Sequence, residues 1–478
     1  MTLLEKLKPY LIALLVALIG VATVLINHLS GTSTQPPISS DPNTSGLVLK
    51  GSRGETLGAL IPLSETACTP LVHNSNEFQV DYFTVGQITT TKASFKGARI
   101  GLWDDPLYPV TELCAGERLW VDIHIPKNLA PNDYSFTING YPITVRVWKM
   151  TMPDAFSMPV YSEITTYKAF LAHYGDPPQN SSDWSKEWEI GEKYIQSAIA
   201  HGFYPYRHTP TLSLTGQDWT RYKQYSPGKL FVPIRGPQAG GTNWNSTAFN
   251  IAESEIWGDD KIVYLYDEPK TTGGVSDQEI LTSLNQLKTS APSVKSLITM
   301  DYDSNVPLDL PAPVFEHLAS QNQGPQKCGY VSCMSTGCSE NGNLSGAPGM
   351  EVELPPVYRR AFLWIAYQSN LYCLIYYHMM IEFRNVANGS NYSIWHSEGG
   401  VGFGNGDGTL FGPPDINNQL PVVTLRMKQI RQAVFDYEYL KWANADVASL
   451  IRSPIDWEKD ETKYDAFREQ LGEKLNNE

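Results

Sequence analysis

One short string limits the fold more than any other in this 478-residue chain: Val263-Tyr264-Leu265-Tyr266-Asp267-Glu268-Pro269. An apolar run of aromatic and branched residues with no polar alternation predicts a strand covered on both faces, as in a parallel sheet sheathed by helices. Proline cannot donate to a ladder, so the strand stops where the acids begin. Carboxylates at the C-terminal end of a barrel strand fall on the face where such folds build their sites. The same letters also fit a strand-end turn in which Asp267 caps the next segment and Glu268 is solvated.

The rest of the chain has two rhythms. Residues 50–150 read as all-β: Leu119-Trp120-Val121-Asp122-Ile123-His124-Ile125 alternates apolar and polar, 141–147 continues the pattern, and Pro, Gly and Asn separate the runs. Short strands at that spacing predict a β-sandwich. From 151 to 445 strand-like and helix-like segments alternate. A helical pattern at 184–201 ends at Gly202 and leads to the strand-like 203–206. The strand at 262–266 precedes a helix at 277–288 and a strand at 296–300, and a helix near 356–369 precedes the apolar 371–377. That alternation predicts a parallel (β/α)8-like TIM barrel. Two amphipathic helices close the chain, one over 425–443 and one marked by Trp457, Tyr464, Phe467, Leu471 and Leu475. Residues 446–478 are expected to pack on the barrel.

At the other end, residues 10–29 run without a charge for long enough to cross a bilayer. Lys6 and Lys8 precede the run and no Lys or Arg follows before Lys50, so charge bias puts residues 1–9 in the cytoplasm and the rest outside the membrane. The expectation is a single-pass transmembrane anchor followed by a Ser/Thr/Pro-rich linker at 30–49, with a cleaved signal peptide as competitor. An exported chain permits disulfides. Cys68 and Cys114 are expected to pair, and a loop disulfide with one buried thiol left over is expected among Cys328, Cys333 and Cys338 of one loop and Cys373 in an apolar run, with the connectivity open. The loop trio lacks the tight ligand pairs and nearby His of a zinc site. A formal net charge of −14 and the lack of clustered Lys and Arg argue against nucleic acid as a partner. The chain has no Walker loop and no dinucleotide fingerprint, and no cofactor or metal is expected.

Several strings, taken in order, resemble the glycoside hydrolase family 123 catalytic domain and its uncharacterised relatives, a barrel preceded by a β-sandwich. They are Gly101-Leu102-Trp103-Asp104-Asp105-Pro106-Leu107-Tyr108-Pro109, Leu119-Trp120-Val121-Asp122, Tyr266-Asp267-Glu268-Pro269, the helix segment 359–364 with Leu374-Ile375-Tyr376-Tyr377, Gly406-Asp407-Gly408-Thr409-Leu410, and Asp436-Tyr437-Glu438-Tyr439-Leu440. Together they span about 95–445. The chain reads Tyr376-Tyr377-His378 where relatives often show Tyr-Trp, and Leu410-Phe411-Gly412-Pro413 where Tyr-Pro-Gly is common, changes that bear on sugar specificity.

Adjacent carboxylates cannot readily be the widely spaced acid and base of an inverting glycosidase. They suit a sugar whose own 2-acetamido oxygen is the nucleophile. The resemblance implies that arrangement, with Glu268 as general acid/base and Asp267 as acetamide stabiliser, acting on a glycan that bears a β-linked N-acetylgalactosamine-like sugar. Two close acids push each other's pKa values apart, and Glu268 is the expected protonated partner. Further substrate-binding candidates at strand ends and beyond are Arg207, His208, Tyr302, His378, Trp395 and Asp407, with Tyr302 placed to bond an acetamide carbonyl. The histidines also read as satisfied structural residues, Trp395 as core and Asp407 as a turn residue. Two other functions remain open: an ordinary retaining glycosidase with a later nucleophile such as Glu382, and a non-catalytic, membrane-tethered carbohydrate-binding protein.

Overall fold

The computed structural model describes residues 46–63, 65–175, 180–207, 229–233, 260–270, 274–321, 324–332, 342–383, 404–412, 414 and 419–478. Its first layer pair is built from alternating strands. In β7 (Leu119–His124), Leu119, Val121 and Ile123 point into one core, shared with Leu57, Ala59 and Ile61 of β2 (Thr56–Ile61). β4 (Gln79–Thr90) and β5 (Gly101–Pro109) complete an antiparallel sheet in the order β5-β4-β7-β2. The facing sheet holds β1 (Leu47–Arg53), β9 (Tyr141–Thr151) and β8 (Asn132–Ile138), with β1 parallel to β9. Ile143, Val145 and Val147 of β9 close the core from that side. The Cys68–Cys114 disulfide flanks the short ribbon of β3 (Thr69–Pro70) and β6 (Glu112–Leu113), the pairing expected from sequence.

Eight parallel strands follow among the described residues: β10 (Val160–Ile164), β11 (Phe203–Arg207), β12 (Lys229–Pro233), β13 (Asp260–Tyr266), β14 (Lys295–Ile298), β15 (Leu310–Pro311), β16 (Cys328–Val331) and β17 (Cys373–Tyr376). They pair in the orders β11-β10-β17-β16 and β12-β13-β14-β15. A parallel bridge from Val314 to Tyr330 joins the two sets, and β11 lies beside β12. The first and last parallel strands are hydrogen-bonded neighbours, so the sheet closes on itself. Its interior is rich in tyrosine, with Tyr161, Tyr204, Tyr206, Tyr264 and Tyr330 packed among Ile262, Leu297 and Ile375.

β13 shows why its sequence lacks alternation. Ile262 and Tyr264 face the interior, while Val263 and Leu265 pack outward on Ile280, Leu284 and Leu287 of α3 (Asp277–Ser290). That helix starts at a reciprocal cap: the Ser276 hydroxyl accepts from Glu279 N–H, and the Glu279 carboxylate accepts from Ser276 N–H. The preceding helices are α1 (Thr166–Tyr174) and α2 (Ser181–Ala200), the latter capped by the Asn180 side chain. Gly202, at φ 84°, turns the chain out of α2 into β11.

The late elements tie the two halves together. β18 (Val423–Thr424) adds a strand to the sandwich sheet beside β5 and runs directly into α5 (Leu425–Trp442). α5 packs on α4 (Val357–Gln368) and presents Arg426, Lys428 and Arg431 to the sandwich acids Asp105 and Asp122. α6 (Glu461–Asn477) touches both halves: Tyr464 and Phe467 stack on Trp364 of α4, while Arg468 pairs with Glu55 and Gly472 lies under the Trp148 ring of β9. A Cβ at Gly472 would come within 2.2–2.6 Å of three Trp148 ring carbons. Alanine normally stabilises a helix interior relative to glycine by about 1 kcal/mol. Here Gly472→Ala is expected to destabilise instead, by about 1–3 kcal/mol, because both ring and helix are closely packed. A thermal midpoint equal to or above that of the parent protein would contradict the contact.

Two expectations are corrected. No described helix is long and apolar enough to cross a membrane, which overturns the transmembrane helix in the expected fold and the single-pass, extracytoplasmic placement drawn from it. Residues 10–29 themselves lie outside the described residues. The described helices carry charge among their apolar residues, and α5 buries Lys428, Arg431, Asp436 and Glu438 together with its apolar side chains. The second correction concerns cysteine. Cys328 and Cys373 are register partners at the start of β16 and β17 and form a buried disulfide, so Cys373 is not a free thiol and Cys328 cannot be a thiolate ligand. Cys333 and Cys338 lie outside the described residues.

Candidate active site

Adjacent residues on a regular strand face opposite ways, yet Asp267 and Glu268 both turn inward. Two local features account for this. The register of β13 against β14 shifts between Tyr264 and Tyr266, a bulge that sends Tyr266 outward to α3, where its hydroxyl meets Ser283 Oγ at 2.8 Å. The extra residue puts Asp267 on the inner side. Glu268 then adopts a left-handed backbone, φ 44°, which swings the next side chain inward as well. Such a conformation is uncommon for a residue with a Cβ and persists only when its surroundings hold it.

Neighbouring strands supply those surroundings. The Tyr264 hydroxyl donates to Asp267 Oδ1 at 2.6 Å and lies 3.1 Å from Thr299 Oγ1. The backbone N–H of Glu268 donates to the same Thr299 Oγ1 at 2.7 Å. From β16, the Tyr330 hydroxyl donates to Glu268 Oε1 at 3.0 Å. Burial first, and then the charge on Asp267, push the Tyr264 and Tyr330 hydroxyls well above the usual range, so both remain proton donors at any physiological pH.

Glu268 and Tyr330 line a cavity of about 860 Å³ at the C-terminal ends of the strands. Tyr302, Asp301, Asp303, His317, Gln321 and Lys270 form much of the remaining wall. His317 Nδ1 sits 3.0 Å from Asp301 Oδ1, and Gln321 Oε1 accepts from the Tyr302 backbone N–H at 2.9 Å. The volume suits one or two sugar-sized rings.

The other sequence candidates are distributed unevenly. Tyr302 reaches the cavity wall. His378 is buried: its Nδ1 accepts from Met380 N–H at 2.8 Å, and Nε2 lies 3.4 Å from Glu163 Oε1 of β10. Asp407 is also buried and accepts from the hydroxyls of Tyr376 (3.1 Å) and Tyr377 (3.2 Å). Burial raises its carboxyl to about 6 in spite of those bonds. Neither residue is among those lining the cavity. Arg207 ends β11, with only its backbone described, and His208 and Trp395 lie outside the described residues. Glu382 is buried with its N–H donated to Thr409 Oγ1, and it does not line the cavity either.

Sequence reasoning missed Tyr264, Thr299, Tyr330 and His317. Tyr264 reads simply as a core aromatic. Thr299 and Tyr330 belong to four-residue strands or their ends, and His317 sits on a short 3₁₀ turn at Phe315–Ser320.

No protein-family pattern matches this chain, and no curated protein does. Among solved structures, a family 123 glycoside hydrolase from Clostridium perfringens, described for glycolipid glycan hydrolysis, superposes with a TM-score of 0.59 and 12% identity, covering 91% of this chain and 94% of its own. A family 39 glycoside hydrolase from Bacteroides cellulosilyticus WH2 aligns over 82% of this chain and 81% of its own at a TM-score of 0.28 and 8% identity. Bacteroides uniformis beta-glucuronidase 3 aligns over 63% of this chain and 47% of its own at 0.28 and 10%. Only the first is close enough to carry an argument, and at 12% identity that argument concerns architecture: the chain has a glycoside hydrolase-like fold.

Proposed function

We propose that this protein is a glycoside hydrolase that removes a β-linked 2-acetamido sugar, N-acetylgalactosamine-like, with retention of configuration through substrate-assisted catalysis. The observation that carries the reading is the pair itself: two consecutive carboxylates, both turned inward at the C-terminal end of a barrel strand, with Glu268 on the wall of the cavity. Likeness of fold to the Clostridium perfringens enzyme supports the same class of reaction.

In the proposed reaction Glu268 gives its proton to the glycosidic oxygen as the bond from that oxygen to C1 breaks. The acetamide carbonyl oxygen forms a new bond to C1, producing an oxazolinium ion. Asp267 accepts a hydrogen bond from the acetamide N–H and offsets the positive charge. Water then attacks C1 and gives its proton to Glu268, the C1–acetamide bond breaks, and the acid is restored. Tyr264 suits Asp267 to this role, because the hydroxyl donating to Oδ1 at 2.6 Å fixes the carboxylate beside Glu268. Neither Glu382 nor Asp267 is among the residues lining the cavity, but Glu382 is only 2% exposed while Asp267 is partly exposed and directly precedes Glu268, so an ordinary retaining mechanism with Glu382 as nucleophile has less support.

A panel of aryl β-glycosides tests the proposal. Turnover is expected for substrates with a 2-acetamido group and not for their 2-hydroxy counterparts, and a thiazoline mimic of the oxazoline should inhibit. Equal turnover of both sets would rule out substrate assistance. Glycan binding without turnover of any member would favour a carbohydrate-binding role over a hydrolase.

A further inference from the structure

We infer that Thr299 is a positioning residue that links the two acids, holding the backbone of Glu268 and the carboxylate of Asp267 through one chain of hydrogen bonds. The direction of the chain follows from counting protons. Tyr264 has one hydroxyl proton, and its shortest contact, 2.6 Å, is to Asp267 Oδ1, which can only accept when ionised. The Thr299 proton then has three acceptors in reach: the Tyr264 oxygen at 3.1 Å, Asp267 Oδ1 itself at 3.4 Å and the Tyr266 carbonyl at 3.5 Å. Thr299 Oγ1 in turn accepts from Glu268 N–H at 2.7 Å. Thr299 thus holds Glu268 N–H on one side and reaches Asp267 Oδ1 on the other, both directly and through the Tyr264 hydroxyl. Bonds in such a chain polarise one another, so each is stronger for the presence of the next.

The geometry explains why a threonine at the end of β14 serves here. Its 2.7 Å acceptor contact is to the amide of the one site residue with a left-handed backbone, φ 44°. That bond ties the turn that brings Glu268 to the cavity to the end of β14. Thr299 is itself 4% exposed and lines the cavity floor. Tyr264 is 2% exposed, so water does not readily replace either hydroxyl.

This inference rests on the proposed roles of the two acids, and three variants separate its failure from theirs. Thr299→Val removes the link to both acids, Tyr264→Phe removes only the tyrosine-mediated branch to Asp267, and Thr299→Ser keeps the hydroxyl. One measurement needs no turnover: the Glu268 backbone amide and the Asp267 carboxyl carbon, the latter assigned by its absence in Asp267→Asn, are followed by NMR at one pH in the full chain. Hydrogen exchange of the Glu268 amide is expected to be about tenfold or more faster in Thr299→Val, the Asp267 carboxyl resonance to move in both Thr299→Val and Tyr264→Phe, and both to return in Thr299→Ser. On a 2-acetamido substrate, Thr299→Val is expected to lower kcat by about tenfold or more with KM nearly unchanged, Tyr264→Phe to lower it less, and Thr299→Ser to recover most of it. A Glu268 amide that exchanges at the parent rate in Thr299→Val, or an Asp267 resonance that does not move there, overturns the link, whatever the substrate proves to be. Both changes in a protein that turns over no 2-acetamido substrate uphold the link and reject the proposed reaction.

Discussion

Glu268→Gln is expected to lower kcat by about 100- to 10,000-fold on a 2-acetamido glycoside with a poor leaving group. The substitution keeps size and shape, and its amide oxygen can still accept from the Tyr330 hydroxyl, so the local structure should persist. What disappears is the proton. An alkoxide or a sugar hydroxylate leaves badly without one, whereas a dinitrophenolate leaves nearly as well unprotonated. The loss should therefore shrink sharply across a series of increasingly acidic leaving groups. Asp267→Asn should behave differently. Attack by the acetamide lies on the path for every leaving group, so its loss should stay nearly constant across the series. Identical leaving-group dependence in the two variants, or a Glu268→Gln protein with undiminished turnover, would remove Glu268 as the acid/base.

The contrast between these two carboxylates also shows what the sequence could reveal. β13 is legible because both of its faces are covered, which forces an uninterrupted apolar run, and because Pro269 ends it abruptly. The sequence could not show how neighbouring side chains come to share one face. The answer is a bulge between Tyr264 and Tyr266, and Tyr-Leu-Tyr has no signature that distinguishes a bulged strand from a regular one. Nor do β15, two residues long, and β16, four residues long, carry enough sequence to register as strands, although β16 delivers Tyr330 to the site. Their positions depend on the closure of the whole sheet, which is a property of tertiary pairing.

Alternation in the sandwich carried a different ambiguity. On β7, Leu119, Val121 and Ile123 identify a core face, and the opposite face with Trp120 and Asp122 reads as the wet one. In the structure that face is buried too, since Trp120 joins the barrel-side core and Asp122 is 2% exposed. A charged residue on a polar stripe looks the same in sequence whether water or a cation faces it. Here the cations come from α5, some 300 residues later in the chain. Asp407 and His378 are similar cases: each stands at a strand end or on a glycine-rich loop, where a ligand contact is plausible, and each is instead enclosed by neighbouring side chains.

Asp122→Ala is expected to destabilise the protein by about 3–5 kcal/mol at pH 7, the usual effect of stranding a buried charge. The Asp122 carboxylate accepts from Lys428 Nζ at 2.6 Å, from both terminal nitrogens of Arg431 at 2.7 and 2.8 Å, and from Trp120 Nε1 at 2.9 Å. Lys428 and Arg431 are both nearly enclosed, at 4% exposure each, so deleting the carboxylate leaves two cations facing each other without water. Since a folded domain is typically stable by about 5–15 kcal/mol, the loss is a large share of the total. Asp122→Asn isolates the charge, keeping the shape and part of the hydrogen bonding. Burial alone would raise this carboxyl, but Arg431 and Lys428 outweigh it and hold it well below its ordinary value of 3.8. A depressed carboxylate contributes its full stabilisation above the unfolded value and loses it as pH falls through the folded one. The gap in unfolding midpoint between parent and Asp122→Asn should thus be present at pH 7 and narrow progressively below about pH 4. A gap that is absent at pH 7, or that widens below about pH 4, would mean that the ion cluster does not hold the sandwich to α5.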